Sequence, residues 1–351
     1  MGDWLGRRLE PAALAMGDWF ARRLELAAMV STFPLHHIAG ALGLAAAVIL
    51  RGGACARASF AAYLTWSVLD GSPGRGGFAW AWRCGVTRCL RHSFLWRVAA
   101  RYFPIALEKT AELPADEGPY IFVCHPHGII GIAPMTHFGT NATGFEELFP
   151  GIDVHLLGHS AILRVPFFRE WVLLHGHGTV ERSCCLRLLG RGHSIALAPG
   201  GAKESLDCTP GTMRLLLRSR KGFAKLALRA GAALVPVLSF GENEVYSTVR
   251  LAPGGPGRRL QDALQRRLGW ALPLFCGRAW LPLLPQRQPI TSVVGAPVRP
   301  PSRGDAGGGG GLEPTTEEVD DLHARYCTAL EALFAEHRAT HGAKGVDLEL
   351  V

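Results

Sequence analysis

The 351-residue sequence lacks a cysteine framework: it has nine cysteines, two of them adjacent at Cys184-Cys185, and no CxxC pair. That pattern argues against a disulfide-stapled secreted fold and fits free thiols in a reducing compartment. Charge is also scarce, with 19% of residues charged against 48% hydrophobic, so wholesale disorder is excluded. Acidic residues are outnumbered by basic ones, mostly arginine, and the formal net charge is +8. Such a balance favours an anionic partner, either a phosphate-bearing ligand or an acidic lipid headgroup. No zinc-finger or RNP pattern is present, which argues against nucleic acid. Neither of the two apolar runs near the start reaches the ~20 residues of a spanning helix, and neither has the charged start and cleavage site of a secretory signal.

What is present falls into blocks. Residues 1–30 are a tandem copy, "MGDWLGRRLEPAALA" followed by "MGDWFARRLELAAMV". Each copy sets Trp and Leu against an Arg pair, which suits either a helix in a membrane interface or a duplicated leader with a second start at Met16. Residues 31–72 carry "PLHHIAGALGLAAAVIL" and "ASFAAYLTWSVL" around a loop from Arg51 to Arg57. They are expected to form a hydrophobic hairpin that enters a bilayer and returns. The Gly-, Arg- and Trp-rich stretch from Pro73 reads as membrane-adjacent. Residues 73–341 are expected to be the catalytic domain, with a flexible Gly-rich linker at 301–312, and 342–351 a tail.

Within that domain, "YIFVC", "VHLLG", "SIALAPGG", "ALVPVLSFG" and "PITSVVGAPV" read as short buried strands, and "RKGFAKLALRAG" as a helix. The alternation predicts an α/β fold with a largely parallel sheet flanked by helices. Thr315 and Glu318 form a capping-box pattern before an apolar stripe of Val319, Leu322, Tyr326, Leu330, Leu333 and Phe334, read as core packing.

The chemistry concentrates in "FVCHPHGIIG". His125 and His127 fall at the end of a predicted strand, where open α/β sheets place their sites. Pro126 stiffens the turn and Gly128 lets the backbone bend and a ligand approach. Two imidazoles so held can supply a general base and a hydrogen-bonding partner. "APGGAKESL" is a strand running into a glycine turn whose N–H groups suit an oxyanion or a phosphate. There Glu204 is the candidate to orient an imidazole. A metal site is the lesser reading: His175 and His177 repeat the spacing near Glu170 and Glu181, without HExxH or a cysteine pair. Ser160 misses the GxSxG elbow because Ile162 replaces its second glycine, and Cys124 reads as a buried thiol. The sequon at Asn141 carries little weight, since a cytosolic segment would not be glycosylated.

HPHG, "YFPIALEKT", "RVPFFRE", "GGAKESL", "RKGFAKLALRAGAALVPVLSFGENEVY" and "PITSVVGAPV" stand in the order seen in type-2 diacylglycerol acyltransferases, and from about Tyr63 onward the chain resembles that family. The resemblance implies a glycerolipid-acyltransferase-like sheet, an amino-terminal membrane hairpin, and a cytosolic catalytic domain at the endoplasmic reticulum and lipid droplets. It implies esterification of diacylglycerol by acyl-CoA, a co-substrate, with no further cofactor and no metal. Monoacylglycerol and long-chain alcohols are the alternative acceptors; a lipid ester hydrolase and a non-catalytic droplet protein are the rival functions, and a homo-oligomer is left open. The same resemblance puts His125 and His127 on the essential HPHG, Tyr102, Phe103 and Pro104 on the YFP block, and Gly200, Gly201 and Glu204 on the glycine-glutamate block. Gly128, Glu242 and Asn243 are expected beside the substrate, and Arg218, Arg220, Lys221 and Lys225 at the CoA phosphates. Three features depart from the family: the tandem leader, a short "CGRAWLPLLPQ", and no clean lipid-binding pattern by the hairpin. The wider acyltransferase pattern would also place an Asp five residues after the histidine; from His125 that position is Ile130.

Overall fold

All five predicted runs become strands of one sheet in a computed structural model that describes residues 18–32, 34–268, 272–281, 284–301 and 313–351. They are β2 (Tyr120–His125), β3 (Val154–Gly158), β5 (Ser194–Leu197), β7 (Ala233–Phe240) and β10 (Ile290–Val294). With β1 (Ile105–Lys109) and β4 (Gly178–Thr179) they form a seven-stranded sheet in the order β1-β10-β7-β2-β5-β3-β4. Neighbours run parallel except β10, which is antiparallel to β7. β2 and β7 are buried along their whole length, which is why they read as continuous apolar runs without alternation. Side chains still alternate between faces: Ile121 and Val123 join one apolar cluster, Tyr120, Phe122 and Cys124 the other. Each large apolar side chain so buried contributes about 1.5–3 kcal/mol.

The helices that matter to the site are α1 (Asp18–Thr32), α2 (Pro34–Arg51), α3 (Ala54–Leu69), α4 (Ile132–Phe138), α5 (Phe168–Leu174), α6 (Gly201–Ser205), α7 (Gly222–Ala230) and α8 (Thr316–His337). α8 starts at the expected capping box: Thr315 Oγ1 accepts the Glu318 N–H at 3.2 Å and Glu318 Oε2 accepts the Thr315 N–H at 2.7 Å. Its apolar stripe packs with α7 on one face of the sheet.

Two expectations change. The loop from Arg51 to Arg57 shrinks to Gly52-Gly53, because α3 already starts at Ala54. The carboxyl segment is also more ordered than a tail, since β11 (Leu348–Leu350) pairs in parallel with β6 (Met213–Leu215). The Val351 carbonyl then accepts the Leu217 and Arg218 N–H groups at 2.9 Å.

Among the described residues no single helix is long and apolar enough to cross a membrane; Asp18–Thr32 and His36–Arg51 pass that test only together, bent by 54°. α2 and α3 leave Leu42, Leu44, Ile49, Leu50, Trp66, Val68 and Leu69 exposed. α3 is tied to the sheet domain at α5. The Tyr63 ring stacks on Phe167 at 5.1 Å, its hydroxyl donates to Glu170 and accepts the Phe167 N–H, and buried Arg169 pairs with Asp70 at 2.6 Å. Most of the second leader copy is α1, which buries Met29 against Tyr102 and Phe103; the first copy and residues 302–312 lie outside the described residues.

Candidate active site

Three neighbouring parallel strands, β5, β2 and β7, end in GGAKE, HPHG and GEN respectively. The sheet thus brings two histidines and two buried glutamates, Glu204 and Glu242, to one carboxyl edge, where α/β sheets bind ligands.

Both carboxylates hold backbone. Glu204 Oε1 accepts the His127 N–H at 2.6 Å and Oε2 accepts the Leu216 N–H at 2.8 Å. The expected pairing of Glu204 with an imidazole is therefore not formed, because both its oxygens are committed to peptide N–H groups. Burial pushes the Glu204 carboxyl up to about 7, against the pull of those two donors. Glu242 accepts the Ile132 and Ala133 N–H groups at 2.9 and 2.8 Å, tying the first turn of α4 to the end of β7. Burial pushes it up to about 8, again opposed by its donors.

These carboxylates explain two glycines of the motifs. A Cβ on Gly128, whose φ is +63°, would come within 2.4 Å of Glu242 Oε1, and one on Gly200 within 2.1 Å of Glu204 Oε2. Gly201 has open space around it and is needed only for its φ of +56°.

The two histidines differ. His127 is half-buried, and its Nδ1 lies 3.0 Å from the Gly128 carbonyl. A carbonyl can only accept, so Nδ1 carries the hydrogen and Nε2 presents its lone pair. Burial lowers its pKa, and the carbonyl bond opposes that shift. His125 is 1% exposed, with Nε2 at 2.9 Å from the Tyr326 hydroxyl, and burial pushes its pKa down to about 3.

Several expected substrate contacts turn out to be packing. Tyr102 and Phe103 are almost fully buried with Ile129, Ile132 and Tyr246 behind the HPHG turn, and Tyr102 donates to the Pro285 carbonyl at 2.8 Å; only Pro104 is exposed. Glu242 is wholly buried, and Asn243, also buried, accepts from the Cys208 thiol and donates to the Thr212 carbonyl. Lys221 and Lys225 are paired with Asp320 and Glu313, and Arg218 donates to the Leu350 carbonyl. Of the four cations expected at the CoA phosphates, Arg218 and Arg220 have no ion pair among the described residues, and the charge of Arg220 reaches Glu204.

The lesser readings find no support in the geometry. His175 Nδ1 and His177 Nε2 face the Trp171 and Gly139 carbonyls, Glu170 is bound by Tyr63 and Arg169, and Glu181 sits at the N-cap of the helix Arg182–Leu189. Among the described residues no three His, Cys, Asp or Glu side chains come together to hold a metal. Cys124 is buried and its thiol pKa is pushed up by burial, far from a thiolate nucleophile. Sequence reasoning missed Tyr326 as a polar partner. The signal was a tyrosine inside an otherwise apolar buried stripe, whose hydroxyl has to find a hydrogen bond.

A mostly parallel sheet with two histidines at its carboxyl edge is an α/β arrangement with its candidate site at the strand ends. A sequence model described as diacylglycerol acyltransferase matches residues 58–351, and the chain belongs to that family. It is 40% identical over 299 residues to diacylglycerol O-acyltransferase 2 of Danio rerio, covering 82% of this chain and 78% of that one. It is 40% identical over 313 residues to diacylglycerol O-acyltransferase 2 of Bos taurus, covering 86% and 82%. It is also 40% identical over 288 residues to 2-acylglycerol O-acyltransferase 1 of Bos taurus, covering 80% and 81%. A solved 1-acyl-sn-glycerophosphate acyltransferase from Thermotoga maritima has a TM-score of 0.39 at 12% identity over 86% of this chain and 96% of its own, too distant a likeness to carry an argument.

Proposed function

We propose that the protein transfers an acyl group from acyl-CoA to the free hydroxyl of diacylglycerol, giving triacylglycerol, with His127 as general base. The observation that carries the assignment is the setting of the His127 ring: Nδ1 lies 3.0 Å from the Gly128 carbonyl, and Nε2 is left without a protein partner among the described residues. His127 is preferred to His125 because a base works best with a pKa near the working pH, and His125 is pushed down to about 3.

In this mechanism His127 Nε2 takes the hydroxyl proton as the oxygen attacks the thioester carbonyl. The tetrahedral oxyanion collapses, the C–S bond breaks and CoA leaves as thiolate, which regains the proton from the imidazolium. The thioester is already activated, so no acyl-enzyme is needed. The Gly128 and Gly200 N–H groups, which make no backbone hydrogen bond among the described residues, are the nearest candidates for the oxyanion. Arg220 is the candidate for a CoA phosphate. The exposed apolar side chains of α2 and α3 support a hairpin seated in the endoplasmic reticulum membrane or the surface of a lipid droplet, with the sheet domain in the cytosol.

The relatives named for diacylglycerol and for 2-acylglycerol are equally similar to the chain, so the acceptor is settled by assay. Membranes containing the protein are given radiolabelled acyl-CoA with diacylglycerol, monoacylglycerol or a long-chain alcohol. Triacylglycerol is expected as the main product. Ester cleavage without CoA would replace this reading with a hydrolase, and His127→Ala with normal turnover would remove the assigned base.

A further inference from the structure

His125 Nδ1 is buried and has no hydrogen-bond partner among the described residues. Buried polar atoms are rarely left so, and one at the centre of a reactive turn calls for an explanation. Its other nitrogen supplies it. Tyr326 Oη lies 2.9 Å from His125 Nε2 and 3.3 Å from the Val123 carbonyl oxygen. The hydroxyl has one hydrogen and the carbonyl can only accept it, so the arrangement that makes both bonds has Nε2–H donating to Tyr326 and Tyr326 donating to Val123. The reverse would strand an N–H at Nδ1 in the core and leave the carbonyl contact unmade, and orphaned buried donors are rarer than orphaned acceptors.

We propose that Tyr326 is a positioning residue for His125: by taking the Nε2 hydrogen it leaves Nδ1 as a neutral acceptor for an N–H hydrogen that acyl-CoA brings in. The proposal rests on the reading of the HPHG turn as the reacting centre. The donor is an amide of the pantetheine arm, since the one hydroxyl hydrogen of the acceptor goes to His127. The tyrosine reaches the turn from α8, some two hundred residues further on, and its ring is wedged at 4.9 Å against Phe223 of α7.

Tyr326→Phe removes the hydroxyl and keeps the ring. In the purified full-length protein in nanodiscs, kcat/KM is expected to fall about 10- to 100-fold, the range seen when a metal-bound histidine loses the hydrogen-bond partner that orients it. Nitrogen-15 spectra of histidine-labelled protein, with His125 assigned from His125→Gln, should show Nε2 protonated in the parent and a mixed tautomer in Tyr326→Phe. A merely structural tyrosine would lower stability and leave the parent tautomer and kcat/KM unchanged. A non-transferable acyl-CoA analogue should shift the Nδ1 signal, and the acceptor lipid alone should not. If the analogue leaves it unmoved, if the acceptor lipid alone shifts it, or if the parent carries its hydrogen on Nδ1, the proposal is overturned. Full activity in both His125→Ala and His127→Ala would instead overturn the underlying reading of the turn. Inactive histidine variants beside a fully active Tyr326→Phe would overturn the role of Tyr326 alone.

Discussion

At the residue scale the two histidines of one short motif sit in different surroundings, His125 against Tyr326 and His127 against the Gly128 carbonyl. His127→Ala should lower kcat by about 10²–10⁴-fold, the usual worth of a general base, while the protein stays in the membrane fraction; single-turnover assays in membranes check this. Glu204→Gln should also lose activity, because an amide has one oxygen where the carboxylate serves both His127 and Leu216 N–H groups. At least a tenfold fall in kcat with little change in acyl-CoA KM is the expected signature. The histidines were legible in the sequence because strand end, proline and glycine frame them. The partner of Glu204 was not, since a carboxylate can reach a ring or a peptide N–H from the same position in the chain. Nor was the pairing of Lys221 and Lys225, which depends on two acids distant in sequence, Asp320 of α8 and Glu313 just before it.

At the scale of elements, the loops after β5, β2 and β7 fit together because two glycines leave room for two carboxylates. Gly200 and Gly201 provide a test of that claim. Gly200 has an ordinary helical φ of −62°, so Gly200→Ala strains no backbone; its methyl must instead push the Glu204 carboxylate off the His127 turn. Gly201→Ala meets no atom but forces a side chain into φ +56°, costing about 1–2 kcal/mol. Thermal melts and kcat measured together should split: lost turnover with a lowered melt for Gly200→Ala, a lowered melt with near-normal turnover for Gly201→Ala. The central strands and α8 were legible from apolar runs and a capping box. β1 and β4 were not, being a mixed-polarity edge strand and a two-residue edge.

At the scale of the whole molecule, buried histidines set the response to acid. His125, His127, His137, His155, His175 and His177 all have pKa values lowered by burial. Below about 6.5 the unfolded chain binds protons that the folded chain refuses, so their contribution to stability falls as pH drops. Glu204 and Glu242, raised to about 7 and about 8, act in the opposite sense, since the folded state holds their protons to higher pH. Six groups outweigh two, and the melting temperature should fall steadily from pH 6.5 to pH 4.5 in a scan at constant salt. A flat profile would mean that the histidines are solvated.

The order of strands also bears on how the chain is made. β1 is hydrogen-bonded only to β10, and His125 reaches its hydroxyl partner only on α8. A ribosome delivering the chain from its amino end therefore exposes the apolar helices long before the strand that closes the sheet edge has been synthesised. Until that late segment emerges, the nascent polypeptide carries an unpaired edge and an unanchored imidazole. That interval is when the chain is most open to mispairing with other strands.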